Sequence, residues 1–73
     1  MDYLRVFGEN VRLRRLHLGL TQEQLSERAD LHRTYIGAIE RGDRNVSLKN
    51  IVVIGQALNI KPYELLLFPD EKK

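Results

Sequence analysis

Arg33, Thr34 and Tyr35 stand side by side at the head of the segment "RTYIGAIERG", and each brings a different polar contact. An arginine guanidinium is the commonest bidentate partner of a guanine edge, through O6 and N7. A threonine offers its hydroxyl to a base or a phosphate, or its methyl to thymine. A tyrosine can lay its ring on a sugar or a base and set its hydroxyl on a phosphate. Further along the segment, Ala38 is small enough to touch a thymine methyl, and Gly37 lets the backbone come close to a partner.

For that chemistry to work, the three residues must occupy the first turn of a helix held from behind. Ile36 and Ile39, three apart, supply the buried stripe of such a helix. Glu40 follows in register with the stripe, which sets a carboxylate at the edge of a core. A similar oddity stands nearer the N-terminus. The inner register position between Val11 and Leu18 falls on Arg14 and Arg15.

The remaining elements read as helices. Asp2 caps a first helix over 3–18 with Leu4, Phe7, Val11 and Leu18 inward, and Gly19 ends it. Thr21 and Gln24 form an S/T-x-x-E/Q capping box for a second helix, with Leu20 as its staple and Leu25 and Ala29 inward. Asp30, Leu31 and His32 make a tight turn with one apolar anchor, Leu31. The third helix covers 33–41 and stops at Gly42. Ser47 caps a fourth helix to about residue 58, with Leu48, Ile51, Ile54 and Leu58 inward. The run Ile51-Val52-Val53-Ile54 favours strand by composition, but the cap and the spacing decide for helix, and no second strand is available to pair with it. Pro62 begins a short fifth helix, "PYELLLF". The expected fold is all-α: five helices in one domain over 1–69, then a charged, frayed tail at 70–73.

The chain's 73 residues suit one small domain. Its hydrophobic share of 42% and charged share of 30% are those of a globular protein. The formal net charge is only +2, so a polyanion would have to be met by a local patch of arginines. Arg12 and Arg14 read as a solvated helix face. The absence of cysteine excludes disulfides and thiolate metal sites and favours a cytoplasmic location. No apolar run approaches the ~20 residues of a membrane span, and "MDYLRVFGEN" lacks the basic-then-apolar order of a secretory signal.

Catalysis finds no support. No Ser-His-Asp order, paired carboxylate site or glycine-rich phosphate loop stands out. His17 and His32 lie too far apart, without cysteine, to suggest a zinc site. No metal, cofactor or small-molecule ligand is expected.

Two helices of eight or nine residues joined by a turn of about three have the dimensions of a helix-turn-helix. The second helix of such a unit carries the side chains that read bases. The stretch "LGLTQEQLSERADLHRTYIGAIERGDRNVSL" resembles the helix-turn-helix of the phage repressor and Cro family, and the likeness extends from "FGENVRLRR" to "ALNIKPYELL". Within that family, "RTYI..IERG.RN" is most similar to the controller proteins of restriction–modification systems, which are small homodimers.

The resemblance implies roles residue by residue. Gln22 matches a glutamine that hydrogen-bonds a backbone phosphate. Arg33, Thr34 and Tyr35 match the base- and backbone-contacting positions. Arg44 matches a basic loop residue that approaches DNA near the dimer centre. Arg15 and Glu40 match a buried arginine–glutamate pair, which accounts for both oddities at once. The sequence departs from the pattern at the turn, where Asp30 replaces glycine, and inside the second helix, where Ser26 replaces alanine. It departs again at the caps, where His32 and Lys61 are unusual.

A recognition helix this short reads only about 4–5 base pairs, so a two-fold dimer is expected, with half-sites one DNA turn (~34 Å) apart. In this family the last helix supplies the dimer contact, which points to Ile60, Tyr63, Leu66 and Leu67. Leu66 and Leu67 are adjacent, so one should join Leu65 in the core and leave the other for a partner. The competing reading is an antitoxin-like module whose main partner is another protein, met through an exposed apolar surface that Val52, Val53, Leu66, Leu67 and Phe68 could supply.

Overall fold

The computed structural model describes residues 1–69. The charged tail expected at 70–73 lies outside the described residues. The elements are α1 (Tyr3–His17), α2 (Gln22–Ala29), α3 (Arg33–Arg41), α4 (Leu48–Ala57) and a 3-10 turn, Pro62–Leu66. No strand occurs among the described residues.

Local chemistry sets the ends of these helices. Asp2 accepts from the Arg5 N–H at 3.1 Å. In the capping box, Thr21 Oγ1 accepts from the Gln24 N–H at 3.0 Å and Gln24 Oε1 accepts from the Thr21 N–H at 2.8 Å. Ser47 Oγ accepts from the Asn50 N–H at 3.2 Å. Asp30 ends α2 in the left-handed region, at φ 55°, which aspartate tolerates better than most residues. Gly42 does the same for α3 at φ 80°.

Phe7, Val11, Leu25, Ile36, Ile39, Ile54, Leu58 and Leu65 form one buried cluster. Gly8 permits the closest approach of α1 to α3. A Cβ there would overlap the Ile39 carbonyl oxygen and lie 2.9 Å from that of Glu40.

Several expectations need correction. The fifth helix is a short 3-10 helix, so the described residues form four α-helices. Continuing it as an α-helix would require the Pro69 nitrogen to donate to the Leu65 carbonyl, and proline has no N–H. Asn10 Nδ2 donates to that carbonyl instead, at 3.0 Å, and to the Leu67 carbonyl at 3.1 Å. Leu4 and Leu48 do not face inward. Leu48, the first residue of α4, is 75% exposed, because it lies beyond the end of the core that Ile54 and Leu58 enter. Arg14 is not merely solvated. Its Nε donates to the Leu58 carbonyl at 3.0 Å and its guanidinium reaches the Asn59 carbonyl at 3.3 Å. It thereby satisfies the open C-terminus of α4, whose own last turn carries no basic residue. Arg12 is exposed and pairs with Glu9, at 3.3 Å.

Candidate nucleic-acid interface

The exposed side of the α2–turn–α3 unit is built from its first turns. Leu31 packs against the core and anchors the turn. His32 is the N-cap of α3, and its ring Nδ1 accepts from the Thr34 N–H at 3.1 Å. The unusual cap is therefore functional, with an imidazole nitrogen in the place of a hydroxyl or carboxylate oxygen. Arg33 and Thr34 follow, both exposed. A cation in the first turn opposes the helix dipole, and an anion offsets it here: Glu23 of α2 lies 3.7 Å from the Arg33 guanidinium. Both side chains are largely in solvent, so this pair is weak and yields to a competing acceptor.

Tyr35 is half-buried, with its ring against the core. Its hydroxyl accepts from Asn50 Nδ2 of α4 at 3.0 Å, and the Arg44 guanidinium lies over its ring, 5.0 Å from the centroid. That cation–π contact draws the loop arginine onto Tyr35 in the first turn of α3. Glu23 and Asn50 are contributors that the sequence reading missed. Neither has a local signal, because each acts across elements.

Gln22 is held from below. Its Nε2 donates to Glu40 Oε1 at 3.0 Å, which uses one of the two amide N–H groups. Glu40 also accepts from Arg15 Nε at 2.7 Å and from Arg15 NH2 at 2.9 Å, a two-point fork. The third Arg15 contact is the Leu20 carbonyl, 2.8 Å from NH1. The side chains of the pair are 9% and 3% exposed. The hydrogen bond to Glu40 raises the Arg15 pKa above its ordinary value, against the pull of desolvation and with added Coulombic attraction from the same carboxylate. The pair thus joins α1 to α3 and fixes the glutamine at the start of α2.

Ala38 is displaced from its expected part. It is only 9% exposed, because it sits at the edge of the buried face of α3 and keeps little methyl surface for a base. The residues expected at a dimer contact differ in exposure. Tyr63, Leu66 and Leu67 are exposed, whereas Ile60 packs partly against the core. Leu65 alone fills the core position, so both Leu66 and Leu67 face out. Leu48 and Val52, four apart on α4, add exposed apolar surface, and of the two only Leu48 was expected inward. Among the described residues, no three His, Asp or Glu side chains are grouped to hold a metal, and no helix is long and apolar enough to cross a membrane.

An all-α domain with a capped second helix, a three-residue turn and a polar-headed third helix defines a helix-turn-helix protein. The chain belongs to that family: the "Helix-turn-helix" family profile matches residues 11–65. Its relatives include control protein C.BamHI of Bacillus amyloliquefaciens, 53% identical over 64 residues, covering 86% of this chain and 79% of the relative. The crystal structure of the restriction–modification controller protein C.AhdI from Aeromonas hydrophila superposes with a TM-score of 0.83 at 48% identity, covering 85% of this chain and 94% of that one. The controller protein C.Esp1396I, solved as a tetramer in complex with its natural 35-base-pair operator, gives a TM-score of 0.81 at 34% identity, covering 88% of both chains.

Proposed function

We propose that this protein is a sequence-specific DNA-binding transcriptional regulator, the controller protein of a restriction–modification system, acting as a homodimer on a pseudo-palindromic operator. The observation that carries the reading is the exposed head of α3, where Arg33 and Thr34 stand free of the core and Tyr35 gathers Arg44 beside them. Arg33 exchanges Glu23 for a guanine edge in the major groove. Thr34 and Tyr35 contact bases and backbone. Gln22 gives its second amide N–H to a phosphate, and Arg44 adds a cation toward the dimer centre. The kinship with C.BamHI and C.AhdI supports the controller assignment.

The exposed apolar residues Tyr63, Leu66 and Leu67, together with Leu48 and Val52 of α4, serve a second copy of the chain. Self-association accounts for that surface without an antitoxin-like partner. The protein is a binding module, not an enzyme, and it works in the cytoplasm of a prokaryotic cell or phage-infected host.

Selection of bound sites from a pool of random duplexes tests the proposal. Enrichment of a pseudo-palindrome, with half-sites about one DNA turn (~34 Å) apart, is expected. A pool that shows no enrichment after successive rounds overturns it.

A further inference from the structure

We propose that Asn50 is a positioning residue for operator binding: its side-chain amide holds the Tyr35 hydroxyl so that the phenol proton points away from the fold, toward a phosphate. The inference deepens the function proposed above and rests on Tyr35 facing DNA.

The geometry starts from the hydroxyl. Asn50 Nδ2 lies 3.0 Å from Tyr35 Oη. An amide nitrogen can only donate, so the phenol oxygen accepts. A phenol O–H lies in the plane of its ring, with an in-plane lone pair on the opposite side. A donor on one side therefore sends the proton to the other. The ring itself has little freedom, being half-buried against the core and covered by the Arg44 guanidinium at 5.0 Å. Asn50 is fixed in turn. It occupies the first turn of α4, and its backbone N–H donates to the Ser47 cap. Ring plane, oxygen and proton are thus set before DNA arrives, so this contact needs little ordering on binding.

A second consequence concerns α4. The same first turns that supply Asn50 also carry Leu48 and Val52, the exposed apolar residues of that helix. The amide therefore links the head of the recognition helix to the surface assigned to the second copy.

Operator binding by Asn50→Ala, Tyr35→Phe and the double variant tests the idea, using the duplex recovered by site selection and one fixed salt concentration. Alanine keeps the backbone N–H that Ser47 receives, so the α4 cap survives, and thermal melts confirm that each variant is folded. Tyr35→Phe should weaken binding by about threefold to tenfold per half-site, the range for one lost hydrogen bond. Asn50→Ala should give part of that loss, and no further loss in the Tyr35→Phe background. Equal losses from Asn50→Ala in both backgrounds would show that it acts independently of the hydroxyl and would overturn the proposal. So would parent-like binding by Asn50→Ala beside a weakened Tyr35→Phe.

Asn50→Asp supplies the sign. A carboxylate can only accept, so it captures the phenol proton, while an acid in the first turn suits the helix dipole and keeps the fold. Its loss of affinity should be larger with the hydroxyl present than in the Tyr35→Phe background, and equal losses would refute the outward proton. If Tyr35→Phe alone binds like the parent, the DNA-facing reading of Tyr35 fails first, and that outcome is separable from the others.

Discussion

Replacing Glu40 with alanine should come close to unfolding the domain. In the parent, the carboxylate accepts both arms of the Arg15 fork and one N–H of Gln22, at 2.7 to 3.0 Å. Glu40→Ala leaves the Arg15 cation nine-tenths buried with only the Leu20 carbonyl as a partner. Removing one member of such a pair costs about 3–5 kcal/mol. A domain of this length holds only about 4–11 kcal/mol in total. At about 4–8 °C of midpoint per kcal/mol, the melt should fall by roughly 12–40 °C. Because association adds to apparent stability, the comparison belongs at one protein concentration, followed by far-UV circular dichroism. Changing both residues to leucine removes the stranded charge together with its partner and should recover much of the loss. The pH dependence carries a sign as well. The folded pKa of Arg15 is raised by its hydrogen bond to Glu40. From neutral pH up to the ordinary arginine range the resulting stabilisation is present, and it is lost as pH rises through the folded value. It should therefore stay constant from neutral to mildly alkaline conditions. A Glu40→Ala melt within a degree or two of the parent would refute the burial argument.

Three further outcomes follow from the same geometry. Arg33→Ala should lose discrimination worth about 1–3 kcal/mol between operator and random DNA, and a competition assay in which both affinities fall equally would make Arg33 a phosphate contact instead. Leu66→Glu and Leu67→Glu should each remain folded yet dissociate at concentrations where the parent is dimeric, and sedimentation equilibrium showing parent-like dimers for both would move the interface elsewhere. Gly8→Ala should destabilise the fold by several kcal/mol, since its methyl would meet two carbonyl oxygens of α3, and a melt unchanged from the parent would mean that α1 shifts without cost.

Residues whose environment is set by their own neighbours in sequence were legible. Thr21 with Gln24 and Ser47 with its helix are local hydrogen bonds, and the stripes Phe7–Val11, Ile36–Ile39 and Ile54–Leu58 repeat at helical spacing. Asp30 in the left-handed region follows from the turn that must exist between α2 and α3. What failed was decided at the ends of elements. Leu48 has the periodicity of a core residue, but the core stops short of it. The segment after Pro62 has the composition of a helix, although Pro69 denies the Leu65 carbonyl its donor and Asn10, 55 residues away, takes that role.

The candidate site divides along the same line. Arg33, Thr34 and Tyr35 could be named because a helix start places them by arithmetic. Their partners could not: Glu23 reaches Arg33 across the turn, and Asn50 reaches Tyr35 from another helix. The Arg15–Glu40 pair is the intermediate case. Periodicity marks each residue as misplaced but names no partner, and only the family resemblance joined them. The physical link is the close crossing of α1 and α3 allowed at Gly8, which brings two misplaced charges to one point. Two charged residues breaking separate apolar stripes thus form a joint signal, because each alone would be too costly to bury. The same pair holds Gln22. Burying it therefore does more than join two helices: it orients the glutamine proposed to meet the operator backbone, so Glu40→Ala should weaken DNA binding even at temperatures where the variant is still folded.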